Sequence, residues 1–332
     1  MKKIGICLVA LLSFTATATS IPALAQAQEV KLTLGHGAAP GNPRDEGAKR
    51  FAEAVKRISN GRIEVQVAGS AQLGDDVAMI TGMRTGSIDM SLNSQGAVSN
   101  VVPEYAALGL PYLFDSAEHA WKVVDGPVGE ELAKKAEAKG MITLGYMDNG
   151  IRHTSNNKRP ITKPDDLKGL KIRTPPSPVA VSIFRALGAD TQQIKFSELY
   201  IALQQGAVDG QENPVTNFYY SKLHEVQPNL ALTGHMYETT PFLMSKRTWD
   251  KLNDGDRQSI RTAAKEAVEH QRSLALADDN RLIELLPTLG VKITQVDRAA
   301  FRKATAPVID EFAKSNIGEF VQTVTAEAQK LR

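Results

Sequence analysis

Three residues in the middle of the chain carry side chains suited to gripping a carboxylate, and each follows a short β-branched run. Arg173 ends Leu170-Lys171-Ile172-Arg173, just before a Thr-Pro-Pro-Ser turn. A guanidinium presents a rigid planar fork that takes a carboxylate through two parallel hydrogen bonds. A surface or ion-paired arginine is the plainer reading of the same position. Arg152 stands in Asp148-Asn149-Gly150-Ile151-Arg152-His153, after the run Met141 to Tyr146. Asn213 lies in Gln211-Glu212-Asn213-Pro214, again past a strand. Its amide donates and accepts at once, which suits a carboxylate or a hydroxyl. Asn-Pro also simply opens a turn or helix, and the two readings are compatible. Asn217 follows one helical turn on, on the same face. Phe196 offers a ring either to the apolar side of a ligand or to the core. His36, in Gly35-His36-Gly37, either points into a cleft or caps the first strand.

Little else in the chain suggests catalysis. His119, His153, His224, His235 and His270 show no H-x-x-x-H or H-E-x-x-H spacing, so no zinc site is expected. There is no G-x-S-x-G, no phosphate-binding loop and no G-x-G-x-x-G after a strand, and no cofactor is expected. The single cysteine, Cys7, falls near the start, which leaves the rest of the chain without thiol chemistry. Acidic pairs at Asp75-Asp76 and Asp165-Asp166 sit where helices begin, where capping and the helix dipole account for them.

These residues need elements to position them. Apolar Ala48, Phe51, Ala52, Val55 and Ile58 recur at three- and four-residue steps and predict a helix over 44–59. Strands are expected at 30–34, 63–67 and 88–92, with a helix over 76–85, in βαβαβ order. A second unit begins near Gly150, with strands at 170–173 and 208–211. Its helices fall at 179–187 and 196–205, the latter with Ser197 as N-cap. A long charged helix runs over 254–286, a last strand over 291–294, and helix again over 298–331. Two α/β domains, with largely parallel sheets and no linker between them, predict a clam-shell. Ligands of open α/β sheets sit beyond the carboxyl ends of strands, and a cleft between domains closes by hinge motion.

The first 25 residues read as a secretory signal. Lys2 and Lys3 precede an apolar run from Ile4 to Phe14, and Ala23-Leu24-Ala25 is an A-x-A cleavage signal, cut after Ala25. The run is short of the roughly 20 residues that span a bilayer. The whole chain has 39 basic and 37 acidic residues, and removing Lys2 and Lys3 leaves the two signs equal. That balance points to neither nucleic acid nor an anionic membrane as partner.

Several stretches together resemble one family, the periplasmic solute-binding subunits of tripartite ATP-independent periplasmic (TRAP) transporters of the C4-dicarboxylate-binding type. They are Ala71-Gln72-Leu73-Gly74-Asp75-Asp76, Gly86-Ser87-Ile88-Asp89-Met90, Leu110-Pro111-Tyr112-Leu113-Phe114 and Asp166-Leu167-Lys168-Gly169-Leu170-Lys171-Ile172-Arg173. The strongest runs from Phe196-Ser197-Glu198-Leu199-Tyr200 to Val208-Asp209-Gly210-Gln211-Glu212-Asn213-Pro214. The resemblance implies two α/β domains joined by crossing strands, with a long helix spanning both. Residues 1–25 would be signal, 26–149 with about 240–279 the first domain, and 150–239 with about 280–332 the second. It implies that Arg173 clamps a ligand carboxylate, that Arg152 and Asn213 support it, and that Phe196 lines the pocket. Relatives that bind sialic acid carry a glutamate where this chain has roughly Ser94, a departure that argues against that ligand. His36, Asp76, Asn93, Gln95 and Asn149 are polar candidates for hydroxyl contacts. A sugar acid such as a uronate or aldonate is the expected solute. C4-dicarboxylates and small hydroxy, keto or aromatic acids remain open. The expected protein is a periplasmic monomer, not an enzyme, that delivers its solute to membrane permease subunits. A sensory binder and an exported enzyme are the rival readings.

Overall fold

The computed structural model describes residues 29–332. The signal segment, with its cleavage point and Cys7, lies outside the described residues. Among these, no helix is long and apolar enough to cross a membrane.

The chain begins with β1 (Val30–His36), α1 (Pro43–Ile58), β2 (Ile63–Ala68), α2 (Asp76–Thr85), β3 (Met90–Leu92) and the short α3 (Gln95–Val98). Asn42 starts α1 by accepting the Arg44 N–H on its side chain, and Pro43 follows in the first turn, where its missing donor costs nothing. Asp75 caps α2 through the Ala78 N–H, and Gly86 ends it in a left-handed conformation. β1 pairs in parallel with both β2 and β3. Then come α4 (Ala117–Val124), α5 (Pro127–Ala138) and β4 (Met141–Asn156). The second unit is β5 (Lys171–Thr174), α6 (Pro178–Ala186), β6 (Asp190–Gln193), α7 (Leu199–Gln204), β7 (Gly210–Asn213) and α8 (Val215–Tyr220). β5 pairs in parallel with β6 and β7. The chain closes with β8 (Asn229–Ser245), α9 (Lys246–Trp249), α10 (Asp254–Leu285), β9 (Lys292–Thr294), α11 (Arg298–Ala313) and α12 (Gly318–Lys330).

The strands form one path, β2-β1-β3-β8-β4-β7-β5-β6, with β9 beside β8. All antiparallel pairings involve β4 or β8. These two strands hold 16 and 17 residues, each about 50 Å of extended chain, and so serve both halves of the molecule. At one end β8 pairs with β3; at the other end β4 pairs with β7. One apolar cluster runs through both halves, from Met79, Ile80 and Leu108 to Ile172, Phe184 and Phe301, and two smaller ones each lie in a single lobe. Of the smaller two, one packs Leu34, Phe51, Val55 and Phe242 against the first half of α10, and the other packs Leu199, Phe218 and Leu230 against Leu282 near its end. The 32 residues of α10 span about 48 Å and touch α1, β4 and α8, so one helix braces both lobes. This is the expected α/β clam-shell, with a mixed sheet.

Several elements differ from expectation. β8 has no simple alternation, because it is buried along nearly its whole length, and it was not anticipated as a strand. β6 is a polar strand at the end of the sheet. The strand expected over 208–211 runs over Gly210–Asn213. Residues 196–198 form a tight 3-10 turn, α7 starts only at Leu199, and no side chain caps it, so Ser197 is not an N-cap.

Candidate functional site

A cavity of about 750 Å³ lies between the lobes. One wall comes from the β1–α1 loop, Arg44 of α1 and the start of α2. The other comes from Pro175 and Pro176 after β5, residues 193–197 after β6, and Asn213 and Asn217 around the start of α8. β4 and β8 supply Asn149, Arg152 and Glu238 between them.

Arg173 sits at the strand-end position expected for a ligand-facing group. It is 2% exposed, its Nε donates to the Ile194 carbonyl at 2.9 Å, and its guanidinium stands 5.8 Å from the centre of the Phe196 ring. Among the described residues no carboxylate stands within ion-pair distance of it. Burial pulls its pKa down to about 10, with Glu212, Glu238 and Asp76 acting against that pull and Arg152 adding to it. The fork of this arginine is therefore buried, charged and without an anion.

Arg152 is equally buried but already engaged. Its Nε donates to Glu212 Oε2 at 2.5 Å, and its NH2 to Glu212 Oε1 at 2.8 Å and the Glu212 carbonyl at 2.7 Å. Its NH1 donates to Glu238 Oε2 at 2.5 Å. Burial works against its charge, but Glu212 and Glu238 outweigh it and hold the guanidinium above its ordinary value. A guanidinium has five N–H groups, so about one remains for a ligand. Burial pushes the Glu212 carboxyl up, but Arg152 and His235 prevail and leave it at about 2. His235 Nε2 stands 3.2 Å from Glu212 Oε2.

The amides form a chain across the cavity. Asn217 Nδ2 donates to Asn213 Oδ1 at 3.1 Å and to Asn149 Oδ1 at 3.2 Å, while Asn217 Oδ1 accepts from Asn42 of the facing lobe at 3.1 Å. Asn149 reaches the cavity because β4 bulges between Asp148 and Gly150, and Gly150 holds φ at 117°, a region that favours glycine. Asn149 Nδ2 donates to Glu238 Oε2 at 2.5 Å.

Asp76 lines the facing wall and accepts the Ser94 N–H at 3.2 Å. Burial pushes its carboxyl up to about 6, with Arg44 pulling the other way. Its place in the cavity wall goes beyond the capping role anticipated for the Asp75-Asp76 pair, which Asp75 fills alone.

The structure thus brings Arg173, Arg152, Asn213, Asn217, Asn149, Asp76 and Phe196 to one cavity. Three other candidates do not line it. His36 is fully buried inside its lobe, with Nε2 3.4 Å from Asp45 Oδ1 and its ring against Gly69. Asn93 turns back to Ser91 Oγ at 2.8 Å, and Gln95 Oε1 accepts the Thr239 N–H at 2.9 Å. The Asn93 nitrogen and the Gln95 oxygen are spent on protein groups, while Asn93 Oδ1 and both ring nitrogens of His36 are buried without a hydrogen-bond partner among the described residues.

Sequence reasoning missed Arg44, Glu212 and Glu238. The Glu238 carboxylate takes four donors, from Ser94 Oγ, the Gly96 N–H at 3.3 Å, Asn149 and Arg152. Ser94, where an acid is absent, thus bonds to an acid delivered from β8. One signal was available for Arg44. A cation in the first turn of a helix is opposed by the dipole, and such a residue needs another reason to be there.

The profile of the bacterial extracellular solute-binding proteins, family 7, matches residues 34–316. An uncharacterized Sinorhizobium fredii protein, y4mM, is 52% identical over 280 residues, covering 84% of this chain and only 52% of its own length. Among solved structures, the sugar acid binding protein DctPAm of Advenella mimigardefordensis, in complex with galactonate, superposes with a TM-score of 0.90 at 33% identity. That match covers 92% of this chain and 99% of the other. A TRAP periplasmic solute-binding protein of Sulfurospirillum deleyianum with bound succinate has a TM-score of 0.86 at 35% identity, covering 90% and 99%.

Proposed function

The chain belongs to the bacterial extracellular solute-binding proteins of family 7, the solute-binding proteins of TRAP transporters, and on that premise we propose that its cavity captures a small hydroxylated organic acid, a sugar acid such as an aldonate or uronate. The observation that carries this reading is Arg173, a buried guanidinium that faces the cavity with no anion to pair it. A ligand carboxylate supplies that anion in bidentate geometry. The remaining N–H of Arg152 and the amide of Asn213 support it, and the Phe196 ring covers the apolar side. The galactonate complex of the similar Advenella protein favours the same class of solute.

In this reading the protein works in the periplasm after cleavage near Ala25, as a monomer. It binds the acid without transforming it and passes it to membrane permease subunits. The lobes divide near 149/150, 239/240 and 279/280, where β4, β8 and α10 cross from one to the other, and they move as hinged bodies about these crossings. The ligand stabilises the closed state by the difference in its affinity for the two forms.

A thermal-shift and calorimetric screen of the purified protein against sugar acids, dicarboxylates and plain monocarboxylates tests this. A ligand at 100 times its Kd stabilises by about 2.7 kcal/mol. Sugar acids that bind stoichiometrically and are recovered unchanged support the reading; binding confined to dicarboxylates, or turnover of the acid, overturns it.

A further inference from the structure

Arg44 and Asp76 face the cavity from the lobe opposite Arg173. Arg44 is 7% exposed. Its NH2 donates to Asn149 Oδ1 at 2.6 Å, and its buried Nε has no hydrogen-bond partner among the described residues. Asp76 receives one hydrogen bond, from the Ser94 N–H at 3.2 Å. No hydrogen bond or ion pair joins the two side chains among the described residues. They are nonetheless close enough that each is the strongest charged influence on the other. A donor and an acceptor thus stand in the same wall, near each other but not in contact.

A guanidinium only donates and a carboxylate only accepts. A group set between them must accept from one and donate to the other. A hydroxyl does both. A second carboxylate accepts from Arg44 but meets Asp76 and Glu238, both in the cavity lining, as like charges. An ammonium suits the two acids but is repelled by Arg44. A methylene does neither and leaves both side chains desolvated without partners. We propose that Arg44 and Asp76 form a hydroxyl subsite which, given carboxylate capture at Arg173 as proposed above, selects acids with a hydroxylated chain over dicarboxylates and unsubstituted acids.

Calorimetry on the whole protein tests the pair with length-matched probes. These are erythronate against butyrate and succinate, and galactonate and gluconate against hexanoate and adipate. Wild type is expected to prefer the hydroxy acid of a set by about 10- to 100-fold, the worth of one or two charge-assisted hydrogen bonds. Asp76→Asn keeps the shape and removes the charge. It is expected to erase most of that preference, by weakening the hydroxy acid and by raising affinity for the plain acid and the dicarboxylate, which no longer desolvate or face that charge. Arg44→Gln is the second variant, with melting curves of both confirming a folded protein. A preference that is the same in wild type and both variants overturns the subsite, as does a wild type that prefers succinate or adipate. If Arg173→Gln abolishes all binding while the preference ignores Asp76, carboxylate capture stands and the subsite falls. If no acid binds wild type, capture fails and the subsite fails with it.

Discussion

Gly96 of α3 and Ser177 at the head of α6 meet across the cleft so closely that a Cβ on residue 96 would stand 2.5 Å from Ser177 Cβ and 2.9 Å from its Oγ. Other contacts tie the same two walls. Asn100 Nδ2 donates to the Pro176 carbonyl at 2.8 Å, Asn42 bonds to Asn217, and Lys195 Nζ stands 3.4 Å from Asp75. The lobes are in contact around the cavity, so the described state is a closed one, and residue 96 has no room for a side chain in it.

Gly96→Val is therefore expected to prop the cleft open. Ligand affinity should fall at least about tenfold, since closure contributes to binding, while the melting temperature of the ligand-free protein changes little. Calorimetry together with small-angle scattering checks this. Unchanged affinity, with the same compaction on ligand addition, would contradict the close approach as a requirement of closure.

The two cavity arginines should behave differently when removed. Arg152→Ala leaves Glu212 and Glu238 as buried carboxylates without the guanidinium that neutralises them and should cost about 3–5 kcal/mol of folding stability. Arg173→Gln removes a buried cation that lacks an anion, so the ligand-free protein should be no less stable, while binding loses about 2–5 kcal/mol. Urea unfolding and calorimetry on the same samples separate the two effects.

Gly150→Ala tests the bulge that carries Asn149. With φ at 117° and a Cβ that would stand 3.1 Å from Pro214 Cβ, alanine is strained there. A loss of about 1–3 kcal/mol in stability is expected, with weaker ligand binding as Asn149 shifts. Equal unfolding midpoints for the two proteins would show that the bulge carries no strain.

Stability should also vary with pH through His153. Burial holds its pKa down to about 3, with His235 and Arg298 adding to the effect, and its Nδ1 accepts the Gly234 N–H at 3.1 Å. A depressed histidine contributes stability that is present above its unfolded value near 6.5 and is lost as the pH falls toward 3. Glu212, held at about 2, adds a loss in the same direction below the ordinary glutamate value. Asp76 and Asp279, pushed up to about 6 and about 8 chiefly by burial, act oppositely, their part being lost as the pH rises. Comparing wild type with His153→Gln isolates the histidine. The variant, whose side-chain oxygen still accepts, should gain relative stability as the pH drops from 7 to 4. A constant difference in melting temperature across that range would show that His153 does not titrate as described.

Much of the fold was legible because local rules held. Apolar spacing marked α1, a long stretch charged on one face marked α10, Asp75 and Gly86 bounded α2, and short β-branched runs marked β1, β2 and β5. Arg173 and Asn213 could be singled out because residues at strand ends in α/β folds face the cleft whatever the rest of the chain does, whereas Arg152, read as following a strand that stops at Tyr146, lies inside β4, which runs on to Asn156. β8 was not legible, since a strand buried on both sides carries no period-two signal, and Glu238 was hidden with it.

What the sequence by itself determined were the elements, the α/β class, the likeness to a family, and the residues at strand ends. These follow from neighbours a few positions apart, whose geometry the backbone sets locally. Only the tertiary structure decided which polar groups face the cavity and which are spent inside the lobes. It turned Asn149 inward on a bulge, buried His36 inside its lobe, and turned Asn93 and Gln95 toward protein partners. It brought Arg44, Asp76 and Glu238 together from α1, α2 and β8, elements far apart in the chain. The physical reason is that a buried polar group goes where its hydrogen bonds can be made, and many of those partners come from segments far apart in the chain that meet only in the folded protein.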